Sequence, residues 1–304
     1  MTVQYIDDLL QKYRENKQVS NPVKLTFFGV GNSDVYNPTA VFSYQGKNVI
    51  CARVEQRDSE HSNAVFFYEK EPNCFYPCEE IKSYKLQDPF ITKVGKYFVF
   101  GGTEIFPHPQ NPEALWWHTK FFYGTSLENL EELTTGPKGM KDVRVVELKD
   151  GRVGVFSRPQ GELGGRGKIG FTTIDTIEQL NETVIEQAPL LEQFDDEEWG
   201  GANEPVLLND GRIGVLGHIA KFTKGDVRHY YSMCFILDPK DGSYTESKII
   251  AERSDFVDGP SKRPDLVDVL FSGGLVRKEG QKAELYVGVS DCEVQKIIIP
   301  NPFC

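Results

Sequence analysis

The sequence has no uncharged apolar stretch approaching about 18 residues, the length a membrane-crossing helix needs. No export signal is read at its start, so a cytoplasmic location is expected. Basic residues are not in excess: 34 Lys and Arg stand against 45 Asp and Glu, a formal net charge of -11. That sign repels phosphate backbones and anionic lipid, so neither nucleic acid nor a membrane surface is an expected partner. Paired cysteines are lacking as well. Cys51, Cys74, Cys78, Cys234, Cys292 and Cys304 are scattered through the chain and read as reduced thiols. Cys74 and Cys78 have no second Cys or His pair nearby, so no metal site is expected.

Helical periodicity is scarce too. Ile6, Leu9, Leu10 and Tyr13 have the spacing of one amphipathic helix, and Ile174–Leu180 is a second, very short helical stretch. The rest is a series of short runs rich in Val, Ile, Phe and Tyr, punctuated by Gly-Lys, Asp-Gly and Asn-Pro, which reads as strands and hairpins. At 304 residues the chain has ample material for one large core.

Internal repetition points to the architecture. Asp150-Gly-Arg-Val-Gly-Val-Phe-Ser157 matches Asp210-Gly-Arg-Ile-Gly-Val-Leu-Gly217, 60 residues later. A wider template has a polar residue, then Pro or Val, then two apolar strands around a Gly-containing turn. It recurs from Asn37, Asp88, Asp142, Glu204 and Asp268, at spacings of 51, 54, 62 and 64 residues. Such a period suits one four-stranded blade of a β-propeller. The expected fold is therefore all-β, a five-bladed β-propeller over residues 21–304, preceded by a short N-terminal helix within residues 1–20. Radial repetition would ring one channel mouth with the five opening residues. The second strands end in a further polar set: Arg53 and Glu55, Thr103 and Glu104, Arg158, His218 and Asp291. The plainer alternative is that Asp and Asn before strands are ordinary turn residues.

The ordered segments Gln87-Asp-Pro-Phe90, Lys141-Asp142, Ser157-Arg-Pro159, Gly201-Ala-Asn-Glu-Pro205, Gly217-His218, Asp268–Gly274 and Gly288-Val-Ser-Asp291 carry a resemblance. Over nearly the whole chain after the first helix, the sequence resembles the five-bladed inverting β-mannoside phosphorylases. It is similar above all to the β-1,2-mannan mannosyltransferase/phosphorylases that make and degrade mannan storage carbohydrate. The resemblance implies Asp88 as proton donor, and Lys141, Arg158, His218 and Tyr230 or Tyr231 around phosphate. It implies Arg53, Glu55 and Arg57 in the subsite of the cleaved sugar, with Asp291 on a sugar hydroxyl. Asn37, Asp142, Glu204 and Asp268, from the repeat register, complete the expected sugar contacts. Three positions depart from the family pattern: Phe90 replaces an Arg, Asp142 an Asn, and Trp199 a Lys. Loss of that lysine favours the mannosyltransferase branch or a weaker phosphorylase.

The chemistry of these residue types agrees. A phosphorylase needs one carboxylic acid for the departing oxygen, because phosphate is already a nucleophile, and a cation cluster to hold it in line. Arg158 offers a planar fork, and Lys141 and His218 add point donors. The expected ligands are a β-mannoside oligosaccharide with inorganic phosphate or mannose 1-phosphate, and the reaction requires neither metal nor organic cofactor. A homo-oligomer is compatible with the sequence. Two other readings stay open: a transferase using GDP-mannose, and a non-catalytic carbohydrate-binding propeller. Trp116-Trp117 could stack on sugar or be buried between blades. Glu162–Lys168 reads as a loop at the channel mouth with Arg166 reaching inward, Asp195–Glu198 as a solvated acidic loop.

Overall fold

The computed structural model describes residues 3–304. One helix, Ile6–Asn16, opens the chain, and almost everything after it is strand. The helix buries Ile6, Leu9 and Leu10, while Ile6 N–H donates to Glu198 Oε1 at 2.8 Å. Arg14 pairs with Glu252 at 2.6 Å, and Tyr13 and Lys17 both bind Asp255. The helix is thus fastened by its apolar face and by charge. The short stretch expected near Ile174 is a single 3-10 turn, Ile177–Gln179, followed by a five-residue helix, Glu182–Glu186, whose N-cap Asn181 accepts from Val184 N–H.

The strands form successive antiparallel sets in chain order. The first centres on Lys47–Glu55 and Ser62–Glu71, the second runs from Gln87 to Thr135, and the third from Arg144 to Ile174. The fourth joins Glu198–Leu207, Ile213–Thr223, Val227–Leu237 and Lys248–Ala251. The last joins Asp268–Lys278, Lys282–Val289 and Glu293–Pro300, and its outer partner is Ser20–Lys24, from the other end of the chain. The fourth and last sets share a two-residue parallel strand contact, His229 and Tyr230 with Asp268 and Val269.

Apolar residues at alternate positions fill the space between neighbouring sets. Phe66, Tyr84 and Phe100 join the first to the second. Phe90, Phe121 and Val155 join the second to the third. Phe156, Phe171, Val215 and Met233 join the third to the fourth, where the N-terminal helix also packs. Leu216, Leu270 and Leu285 continue the series, and Val35, Ile50, Tyr286 and Val294 close it from the last set back to the first. The repeated Asp-Gly-Arg motif has a local cause: Asp150 and Asp210 each accept from the N–H of the Arg two residues on, and Gly151 and Gly211 adopt φ of 86° and 91°. All six cysteines are free. Among the described residues no helix is long and apolar enough to cross a membrane.

Candidate active site

The polar residues that open the first three sets converge. Asn37, Asp88 and Asp142 sit at φ of 45°, 48° and 58°, a left-handed conformation that Asn and Asp tolerate better than other non-glycine residues. Asn37 Nδ2 donates to Asp88 Oδ1 at 2.7 Å, so neighbouring repeats touch directly. Together with Arg53, Lys141, Arg158, His218, Tyr230 and Asp291 they line one cavity of about 230 Å³. Five cationic side chains and four carboxylates face it, in a chain whose overall charge is strongly negative.

Asp88 is 5% exposed. Its Oδ1 accepts from Asn37 and, at 3.1 Å, from Arg53 Nη1. Among the described residues no protein donor engages its Oδ2. Arg53 is itself held by Glu55 at 2.6 Å and by Ser62 at 2.8 Å. Glu55 lies behind Arg53, where it also takes Tyr36 Oη at 2.6 Å and Lys262 Nζ. Burial works against its charge, yet Arg53 and Lys262 hold its carboxyl below the usual range. Glu55 therefore orients Arg53 and does not line the cavity.

On another wall, Arg158 is buried against backbone. Its Nε donates to Gly200 O at 2.7 Å, and Nη1 lies 3.2 Å from Asp142 Oδ2 without hydrogen-bond geometry. Nη1 is thus ion-paired with Asp142 but has no hydrogen-bond partner, a costly state for a buried donor that a well-placed anion would relieve. Two glycines make room for this arrangement. A Cβ on Gly201 would stand 2.8 Å from Arg158 Cδ and 2.9 Å from His218 Cε1, and one on Gly167, whose φ is 146°, 2.7 Å from the guanidinium. The loop containing Gly167 places Arg166 over the rings of Phe222, at 4.5 Å, and Trp199, at 5.6 Å. Arg166 is not among the residues lining the cavity. Trp199 is buried and donates Nε1 to Tyr230 Oη at 3.0 Å, fixing the phenol against the His218 ring, with centroids 5.4 Å apart.

His218 Nδ1 meets Asn203 Oδ1 at 2.9 Å. Burial, and then the neighbouring Arg158 charge, push its pKa down to about 3, so the ring is neutral near pH 7. Asp142 shows the opposite outcome: burial opposes its charge, but Arg158, Lys141 and Arg144 hold it at about 2. Burial raises Asp291 against the pull of Arg53.

Besides Glu55, four expected sugar or phosphate contacts lie outside this cavity. Glu204 is displaced by a β-bulge: Ala202 pairs with Gly217 and Glu204 with Leu216, so Asn203 is the extra residue that turns inward. Glu204 instead takes Leu275 N–H at 2.7 Å, between the fourth and last sets, and burial raises its pKa to about 7. Asp268 opens its strand, ahead of the bulge between Ser272 and Gly274, and binds His229 Nδ1 at 2.6 Å. Tyr231 points into the hydrophobic core because adjacent strand residues face opposite ways, leaving Tyr230 on the cavity. Arg57 is 46% exposed and pairs with Asp34.

The structure adds residues to the site that the sequence reading passed over. Arg228, Arg263, Glu60 and Gln87 line the cavity, and Lys262 binds Glu55 and, at 3.1 Å, Glu60. The basic pair Lys262-Arg263 in an acidic chain was the available signal. Arg144 and Asn203 lie behind Asp142 and His218, with Arg144 Nε donating to Asn203 O at 2.8 Å. Among the described residues no group of His, Cys, Asp or Glu is arranged to hold a metal.

Known structures share this architecture. MPT-4, a mannose phosphorylase from Leishmania mexicana solved with a phosphate ion, is 35% identical, with 98% of this chain and 93% of its own covered and a TM-score of 0.91. MPT-1, a GDP-Man-dependent mannosyltransferase from the same organism, is 30% identical over 98% of this chain and 95% of its own, with a TM-score of 0.89. The β-1,2-mannobiose phosphorylase of Listeria innocua, at 15% identity over 89% of this chain and 91% of its own, shares the fold with a TM-score of 0.63. No curated protein matches the sequence. The family described as protein of unknown function DUF1861 matches residues 11–304, and the chain belongs to that family.

Proposed function

We propose that the chain is an inverting glycosyl-transfer enzyme that moves a mannosyl unit between a β-1,2-linked mannoside and phosphate, forming or using α-mannose 1-phosphate. Its antiparallel sets are the blades of a five-bladed β-propeller, closed by the pairing of Ser20–Lys24 with Glu293–Pro300. The observation that carries the activity is the meeting of one carboxylic acid, Asp88, with a buried guanidinium nitrogen of Arg158 that has no hydrogen-bond partner, in a single cavity of about 230 Å³. The 35% identity to a mannose phosphorylase supports the same reading.

In the direction of cleavage, a phosphate oxygen held by Arg158, Lys141 and Tyr230 attacks the anomeric carbon from the face opposite the β-linked oxygen. The bond from the anomeric carbon to that oxygen breaks as Asp88 passes its proton to it. The products are the shortened saccharide and α-mannose 1-phosphate, with the anomeric centre inverted. Arg53, Asn37 and Asp291 hold the sugar on the Asp88 side. Asp142 takes no proton in this scheme. Held ionised by Arg158, it keeps that guanidinium in place.

A second reading, transfer from GDP-mannose, is supported by the 30% identity to MPT-1 and by Trp199 standing where a lysine is common. Incubation with mannose and either mannose 1-phosphate or GDP-mannose separates them. Phosphate release and chain extension with the first donor are expected. Extension only with the nucleotide donor would install the second reading, and silence with both would leave a carbohydrate-binding propeller.

A further inference from the structure

A second cavity, of about 290 Å³, adjoins the first. Gln87 lines both, and its Nε2 donates to Glu60 O at 2.8 Å, so Glu60 faces one cavity while His61–Asn63 face the other. The second cavity therefore lies on the Asp88 side of the site, with Gln87, the residue immediately before Asp88, standing between the two.

Glu104 in its wall is anchored at both oxygens, to His118 Nε2 at 2.7 Å and to Lys120 Nζ at 3.3 Å. Fixed in this way, its remaining lone pairs are positioned to accept from hydroxyls. Beyond Glu104 the strands Tyr97–His108 and Asn111–Gly124 outrun their neighbour Gln87–Val94, at 12 and 14 residues against 8. Glu104 pairs with His118 and Phe106 with Trp116, so these side chains share one face of the projecting hairpin. Phe106 lies 4.9 Å from the His118 ring and 6.3 Å from Trp116, centroid to centroid; Phe106 and Trp116 are half-buried, and the His118 side chain is 14% exposed. A polar pocket that leads onto a strip of aromatic faces suits a carbohydrate, which has both hydroxyl edges and apolar ring faces.

We propose that this second cavity and the stripe of Phe106, His118 and Trp116 bind the saccharide attached to the departing oxygen, which is the acceptor in the reverse direction. The inference rests on the reading of Asp88 as the acid of glycosyl transfer. In an inverting displacement the acid and the nucleophile stand on opposite faces, so the departing saccharide extends away from the Arg158 and His218 wall and past Asp88. Gln87 and Glu104 take its hydroxyls, and the aromatic stripe takes the sugar units that follow.

The test uses full-length Phe106→Ala and Glu104→Gln with β-1,2-mannobiose as acceptor and mannose 1-phosphate or GDP-mannose as donor. Phe106→Ala is expected to raise the acceptor KM by up to about tenfold, the worth of one aromatic contact, with kcat and donor KM held within about twofold. An unchanged acceptor KM in both variants, or a donor KM rising in step, overturns the proposal. Calorimetric titration of the wild-type chain and Phe106→Ala with mannobiose, and separately with inorganic phosphate, distinguishes the two levels. Mannobiose affinity that falls in Phe106→Ala supports the subsite even where no donor turns over. Phosphate that binds while mannobiose binding is absent or indifferent to Phe106 sinks the subsite alone, and wild-type protein that binds neither sinks both readings.

Discussion

Glu204 offers a sharp test of where the structure places it. Its carboxyl is buried between the fourth and last strand sets, with Leu275 N–H as its donor, and burial raises its pKa from 4.5 to about 7. The sign follows from proton counting. Between these two values the folded chain holds a proton on Glu204 that the unfolded chain has released, so the contribution of Glu204 to stability is greatest at low pH and is lost as pH rises through about 7. A tenfold displacement of a proton equilibrium is worth about 1.4 kcal/mol, so ionising this group in place costs about 3 kcal/mol above neutrality. Glu204→Gln keeps the acceptor for Leu275 N–H and removes the charge. Urea unfolding of both proteins at pH 5 and pH 8 isolates the effect, because every other titrating group cancels in the difference. The variant should gain on the wild type by about 2 kcal/mol between these two pH values. For a chain of this size that is a midpoint rise of roughly 5 °C. A difference that stays flat with pH refutes the reasoning, and a raised KM for sugar or phosphate in Glu204→Gln would return this residue to the active site.

Asp88→Asn should abolish turnover with the thermal midpoint within a few degrees of wild type, since the amide keeps the acceptor for Asn37 and Arg53; retained turnover would falsify the acid assignment. Arg158→Ala should weaken phosphate or donor binding by roughly 10- to 100-fold, the worth of charge-assisted hydrogen bonds, and acceptor binding far less. Equal weakening, measured by calorimetry, would make Arg158 a packing residue. His218, held neutral down to about pH 3, should show no protonation by NMR from pH 8 to pH 5 in phosphate-free protein. Because the unfolded chain takes up that proton near pH 6.5, His218 also contributes a loss of stability as pH falls below 6.5. An NMR titration midpoint near 6.5 would contradict the burial on which both statements depend.

Local chemistry in the sequence was enough for the strand content, the N-terminal helix face at Ile6, Leu9 and Leu10, and the turns at Asp150-Gly and Asp210-Gly. Alternation, helical spacing and turn residues act over a few positions, and those signals are written in the chain itself. The repeat also located Asn37, Asp88 and Asp142 at corresponding places, and these lie together on one cavity. It failed at Glu204, because a β-bulge inserts one residue and exchanges the two faces of a strand, which no sequence period records, and at Asp268, which opens its strand and is held by His229. Tyr231 shows the same limit in one step, since only the register of its strand decides that Tyr230 faces the cavity and Tyr231 the core. The pairing of Lys262 with Glu55, the backbone cradle of Gly167 and Gly201 around Arg158, and the neutrality of His218 depend on groups far apart in sequence. Burial and charge at those sites come into being only when the sets pack against one another, so tertiary structure alone decided them.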